Sequence, residues 1–113
     1  MIKIIADSTC DLSDELIKKY DIDILPLYIH MGDKEYKDKL EITPQEIYRW
    51  SDENRTTPKT AAPSIEDAMN IIEKYQKQGD DIIMFAISED MSTSANVMRI
   101  AADNLDYSDH VYV

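Results

Sequence analysis

Ile2-Lys3-Ile4-Ile5-Ala6-Asp7-Ser8-Thr9 opens the chain as a short β-branched run that stops in three polar residues, and Ile82-Ile83-Met84-Phe85-Ala86-Ile87-Ser88 repeats that design late in the sequence. Continuous apolar runs of this length are typical of strands covered on both faces, so both strands are expected to be fully buried. Helical patterns lie between and around them. Asp11 or Ser13 can cap a helix that places Leu12, Leu16, Ile17 and Tyr20 on one face. Thr43-Pro44-Gln45-Glu46 combines a capping threonine, a proline at the first helical position and a glutamate that closes a capping box. The helix it starts presents Ile47 and Trp50 on one face. Ser64 caps another helix, with Ile65, Ala68, Met69, Ile72 and Tyr75 as its stripe and Gly79 as its stop. Ser92 is placed to cap a last helix through Val97, Ile100 and Ala101, and His110-Val111-Tyr112-Val113 begins a further strand. Strands alternating with helices predict an α/β domain over residues 1–113, built on a mainly parallel sheet flanked by helices.

Two stretches are less regular. Ile22 to Ile29 reads as one strand, with Pro26 suited to an edge or a bulge; Met31 to Lys34 turns, and Glu35 to Lys37 pairs back as a hairpin arm. From Ser51 to Pro63 no periodicity survives, which predicts a long irregular connection of the kind that carries function. Met69, Met84, Met91 and Met98 read as core, although methionines also line pockets for flexible chains. A final strand with no loop after it suggests that more protein follows.

Composition narrows the function classes. The 113 residues carry 23 acids against 12 bases, a formal charge of −11 that repels nucleic-acid phosphates and anionic lipid heads. With only two glycines, Gly32 and Gly79, neither a G-x-G-x-x-G turn nor a Walker-type phosphate loop can form. One cysteine, Cys10, excludes intrachain disulfides and cysteine-pair zinc sites and suits a reducing cytosol. The N-terminus turns polar too early for a secretory signal, and no apolar run is long enough to insert in a bilayer. A cytoplasmic location is expected.

Ligands of open α/β sheets collect beyond the carboxyl ends of the strands. Three polar clusters should meet there: Asp7-Ser8-Thr9, Thr60 in the long connection, and Ser88 to Ser94. At Ser92 the hydroxyl and the amides of Thr93 and Ser94 aim donors at one spot, an anion site sized for a carboxylate or a phosphate. The alternative is that Ser92 only caps its own helix. Asp7 could ligate magnesium or accept a phosphoryl group, although no second acid follows two residues later. It could equally accept bonds from the Ser8 and Thr9 amides. His30 and His110 lack ligand-spaced partners and read as structural or surface residues.

Taken together these segments resemble the DegV family of bacterial fatty-acid-binding proteins. Ile4-Ile5-Ala6-Asp7-Ser8-Thr9-Cys10-Asp11-Leu12 is similar to the family's D-S-T-x-D-L start, Leu25-Pro26-Leu27 to its V-P-L strand, and Glu35-Tyr36-Lys37-Asp38 to its E-x-Y-x-D segment. Pro58 to Ser64 resembles its P-x-T-S-Q-P-S loop and Ile87 to Ser94 its I-S-S-x-L-S-G-T segment, with Ala101-Ala102 behind. The resemblance implies the first domain of a two-domain carrier. Such a carrier holds one long-chain fatty acid between its domains and presents the carboxylate to a fatty acid kinase, without turnover or a resident cofactor of its own. It places carboxylate binding on Thr60 and Ser92, with Thr93 and Ser94 beside them and Asp7, Ser8, Thr9, Ala61 and Ser88 in support. The family's Ser-Gln after the threonine is Ala61-Ala62 here, its glycine is Thr93, its threonine is Ser94, and Ala95 replaces an aromatic residue. The resemblance also implies that a histidine of the second domain helps hold the carboxylate.

Two other readings stand beside the carrier. One is a magnesium-dependent phosphoryl-transfer domain centred on Asp7; the other is a truncated remnant that self-associates without a ligand. About fifteen buried methylenes at about 0.8 kcal/mol each are worth about 12 kcal/mol. A head-group hydrogen bond adds only about 1–3 kcal/mol. With half of the tunnel wall missing, residues 1–113 alone are expected to bind lipid weakly or not at all, and to form a homo-oligomer through the uncovered apolar face.

Overall fold

The computed structural model describes residues 1–113. The opening run forms β1 (Ile2–Asp7), which pairs in parallel with β2 (Asp23–Leu25) on one side and β6 (Asp81–Phe85) on the other; β7 (Val111–Tyr112) extends the sheet beyond β6. The order is β2-β1-β6-β7, all parallel. This is the mainly parallel sheet that the alternation predicts.

The expected single strand over Ile22–Ile29 is instead two strands in two sheets. Pro26 ends β2, because it has no donor for a neighbouring ladder. The chain then enters β3 (Tyr28–Met31), the centre of a small antiparallel sheet ordered β4-β3-β5. β4 (Lys34–Lys37) is the hairpin arm across Gly32, whose φ of +65° lies in the left-handed region. β5 (Lys59–Ala61) comes from within the stretch expected to be irregular, as does the last turn of α2 (Pro44–Asn54). The polar residues Ser51 to Asn54 continue the helix without an apolar stripe, and so left no period to detect.

Four helices complete the chain. Ser13 caps α1 (Asp14–Lys19), accepting from Leu16 N; Thr43 caps α2, accepting from Glu46 N with Pro44 in the first turn; Ser64 caps α3 (Ile65–Gln76), accepting from Asp67 N. α4 starts one residue later than expected, with Thr93 and not Ser92 at its cap position, and spans Ser94–Asn104. α3 and α4 pack on one face of the parallel sheet, where 12 residues including Ile5, Leu25, Ile72, Ile82, Met84 and Met98 form the main core. A separate cluster of Ile29, Met31 and Ile42, flanked by Tyr36, Ile47 and Trp50, supports the small sheet.

Burial corrects several expectations. The strands are not covered on both faces: Ile2, Phe85 and Tyr112 are 63%, 57% and 59% exposed. α3 and α4 sit on the opposite face, and α1 buries no residue, its Leu16 and the Tyr20 that follows it remaining exposed. Met91 is exposed rather than core, whereas Met84 and Met98 are buried. Lys3 is buried although it sits in an apolar run, because its Nζ lies 3.1 Å from Asp21 and 3.4 Å from Asp23 and over the Tyr75 ring. Burial works against its ammonium, but hydrogen bonding to Tyr75 and Asp21 and the Asp23 charge outweigh that, so its pKa is raised. Tyr28 donates to Asp67 on α3 and joins the small sheet to the main layer; that bond and burial raise the pKa of its phenol. His30 and His110 each face an acid, Glu35 at 3.7 Å and Asp81 at 2.9 Å, as surface histidines do.

Candidate functional site

The carboxyl ends of β1 and β6 are tied together by one side chain. Asp7, 1% exposed, accepts from Thr9 N at 3.0 Å and from the Thr9 hydroxyl through one oxygen, and from Ile87 N at 2.9 Å through the other. Ser8 makes a second tie, its buried hydroxyl accepting from Leu27 N at 3.0 Å just past the Pro26 break. These bonds fix three chain segments around one depression. Asp7 and Ser8 therefore build the site from beneath and do not line it.

The depression is a pocket of about 390 Å³ lined by Thr9, Leu27, Asp38, Thr60, Ala62, Ile87, Met91, Ser92 and Thr93. It lies on the seam between the two sheets: Thr9 and Ile87 follow strands of the parallel sheet, while Thr60 sits on β5 opposite Ile29. Thr60, Ser92 and Thr93, drawn from distant parts of the sequence, are thus brought to one cavity. Leu27, Ala62, Ile87 and Met91 supply its apolar wall.

The loop between β6 and α4 is wound by Met91 N and Ser92 N donating to Ser88 O at 2.9 and 3.2 Å. Ser88 shapes this loop and stays outside the pocket lining. Ser92 is not the cap residue of α4. Its hydroxyl accepts from Ser94 N at 3.2 Å and lies 3.0 Å from Ser94 Oγ, while Thr93, at φ −89° and ψ 9°, takes the cap position without a side-chain bond. The Ser94 amide is consumed locally and its side chain is fully buried, so Ser94 orients Ser92 instead of facing a ligand. Ala61 is likewise outside the lining and its neighbour Ala62 inside.

Sequence reasoning missed Asp38, Leu27, Ala62, Ile87 and Met91 as wall residues. Asp38 and Leu27 did lie in segments singled out by pattern. Nothing local shows that they face Ser92, because the link is the non-local pairing of β3 with β5. Chemically, the pocket wall combines hydroxyl groups, apolar surface and a single charged group, Asp38.

Comparison with known proteins places this architecture. A DegV domain-containing protein of Clostridium perfringens is 38% identical over 117 residues, a match covering 99% of this chain and 40% of that protein. A stearic-acid-binding protein of Eubacterium ventriosum has the same fold with a TM-score of 0.92 at 35% identity, over 100% of this chain and 40% of that one. A DegV family protein of Thermus thermophilus, described as binding fatty acid, superposes with a TM-score of 0.87 at 29% identity, over 99% of this chain and 39% of that one. The chain spans about 40% of the length of these relatives. The model of the DegV family of uncharacterised proteins matches residues 1–113 throughout, and the chain belongs to that family.

Proposed function

We propose that this chain is the part of a fatty-acid carrier that holds the head group. The acid's carboxyl meets the hydroxyls of Thr60, Ser92 and Thr93, and its chain leaves along Leu27, Ile87 and Met91. The observation that carries this reading is the seam pocket itself, whose wall combines the hydroxyl-bearing Thr60, Ser92 and Thr93, from two distant segments, with apolar side chains. The fatty acids bound by the relatives from Eubacterium ventriosum and Thermus thermophilus support it. In this reading residues 1–113 act as the first of two domains, the second closing over the acyl chain. The carrier does no chemistry itself and presents the carboxylate to a fatty acid kinase. A phosphoryl-transfer role for Asp7 is disfavoured because both of its oxygens already accept from protein donors.

Titration of the chain with dodecanoic acid, followed by amide chemical shifts, tests the reading at the weak affinity an open pocket allows. Shifts should centre on Thr9, Thr60, Ile87, Ser92 and Thr93. Ser92→Ala removes a bond to a charged group worth about 1.5–3 kcal/mol, which weakens binding about tenfold to a hundredfold. Shifts scattered over the exposed sheet face, with Ser92→Ala binding as well as the parent, overturn it.

A further inference from the structure

Met91 is the one methionine of the pocket wall, and it is 74% exposed. We infer that its thioether is an oxidation site that keeps the carrier unloaded: a peroxide converts Met91 of the empty pocket to the sulfoxide, and the oxidised wall holds the acyl chain poorly. This deepens the fatty-acid reading of the same pocket and rests on it.

The six methionines divide sharply by access. Met31, Met84 and Met98 are buried, and the half-buried Met69 turns its sulfur to the Asn104 amide at 3.8 Å. Apart from Met1 at the terminus, Met91 alone offers its side chain to solvent. Its backbone is fixed by the turn that winds the loop, Met91 N donating to Ser88 O at 2.9 Å and Ser92 N to the same oxygen at 3.2 Å. Met91 is thereby held in the wall beside Ser92 and Thr93. Glu89 and Asp90 precede it in a chain of charge −11, so a neutral oxidant reaches the sulfur more readily than an anionic one. Hydrogen peroxide is such an oxidant.

The step is a two-electron oxygen transfer. A sulfur lone pair attacks one peroxide oxygen, the O–O bond breaks and the S–O bond forms. The departing hydroxide takes the proton of the transferred oxygen and leaves as water; the sulfur is oxidised and the peroxide reduced. A flexible apolar group becomes a polar one with an acceptor oxygen. Against an acyl chain that oxygen finds no donor, and beside Ser92 and Thr93 it competes with the carboxyl for their hydroxyls. A bound acyl chain lies over the sulfur and shields it, so oxidation acts on the empty carrier and spares the loaded one. Closure by a second domain adds to the shielding of the loaded state and leaves this order unchanged.

The test treats the chain with hydrogen peroxide, with and without dodecanoic acid, and follows each methionine by peptide mass spectrometry. Met1 and Met91 should oxidise ahead of Met31, Met84 and Met98, and dodecanoic acid should slow Met91 severalfold without slowing Met1. After the peroxide is removed, titration with dodecanoic acid should show affinity about tenfold weaker than in the untreated chain. A methionine sulfoxide reductase with dithiothreitol should restore it. Met91→Leu, compared with itself before and after peroxide, should keep its affinity, which separates Met91 from Cys10 and Met1, both still present in that variant. Oxidation of Met91 no faster than that of Met84, no protection by the acid, unchanged affinity after oxidation, or the same loss in Met91→Leu overturns the role of Met91, while binding by the untreated chain keeps the carrier reading intact. Absence of binding by the untreated chain overturns both.

Discussion

Replacing Asp7 removes the tie that joins the ends of β1 and β6, and its cost follows from the bonds described. Asp7→Ala leaves Thr9 N and Ile87 N without their acceptor beneath the pocket, and releases the Thr9 hydroxyl. Hydrogen bonds to a charged group contribute about 1.5–3 kcal/mol each. Two stranded backbone donors therefore cost about 3–6 kcal/mol, a large share of the roughly 5–15 kcal/mol that holds a domain together. Asp7→Asn keeps one acceptor oxygen and turns an NH₂ toward the other donor, which costs about 1.5–3 kcal/mol. Urea unfolding followed by far-UV circular dichroism and by the fluorescence of Trp50, the one tryptophan, measures both. With a slope of about 1–3 kcal/mol per molar, the alanine variant should lose about 2 M in its midpoint. If both variants unfold within about 0.5 kcal/mol of the parent, Asp7 is not a structural tie and becomes available for chemistry.

Other outcomes follow from the same contacts. Lys3 has a folded pKa raised above 10.5, so the stability it contributes is present below that value and is lost as pH rises through the folded one. The parent should lose stability in strong alkali, and Lys3→Met, less stable at neutral pH, should show less of that loss in thermal melts. Tyr28→Phe removes the bond to Asp67 that joins β3 to α3, costing about 1 kcal/mol by denaturant unfolding, and removes the alkaline loss due to its own raised phenol. The chain should sediment as a dimer or larger species, because Ile2, Phe85 and Tyr112 leave an apolar sheet face open. Phe85→Glu should shift it toward monomer, and a parent that is monomeric at high concentration and binds no hydrophobic dye refutes this.

What the sequence disclosed was governed by how local each signal is. Ser13, Thr43 with Pro44 and Glu46, and Ser64 mark helix starts because a cap is satisfied within three residues. The strands β1 and β6 were legible from their apolar runs, but not their open faces, since coverage depends on where helices far along the chain pack. In sequence Pro26 suits an edge or a bulge, because only the pairing of β3 with β4 and β5 shows that the chain changes sheet there. Thr60 and Ser92 were legible as residues that meet in one cavity, whereas the burial of Ser94 depends on a one-residue shift in where α4 begins. Met91 was misassigned because methionine composition does not distinguish core from pocket wall.

The seam that holds the pocket also divides the molecule mechanically. The main core and the Ile29–Met31–Ile42 cluster are separate, so each sheet is held by its own apolar group. Across that joint run the bond from Leu27 N to the Ser8 hydroxyl and the bond from Tyr28 to Asp67. Both of these braces have acceptors, Ser8 and Asp67, that lie outside the cavity wall. Loosening either brace acts as a change of aperture, altering how quickly an occupant enters and leaves while every wall residue stays the same.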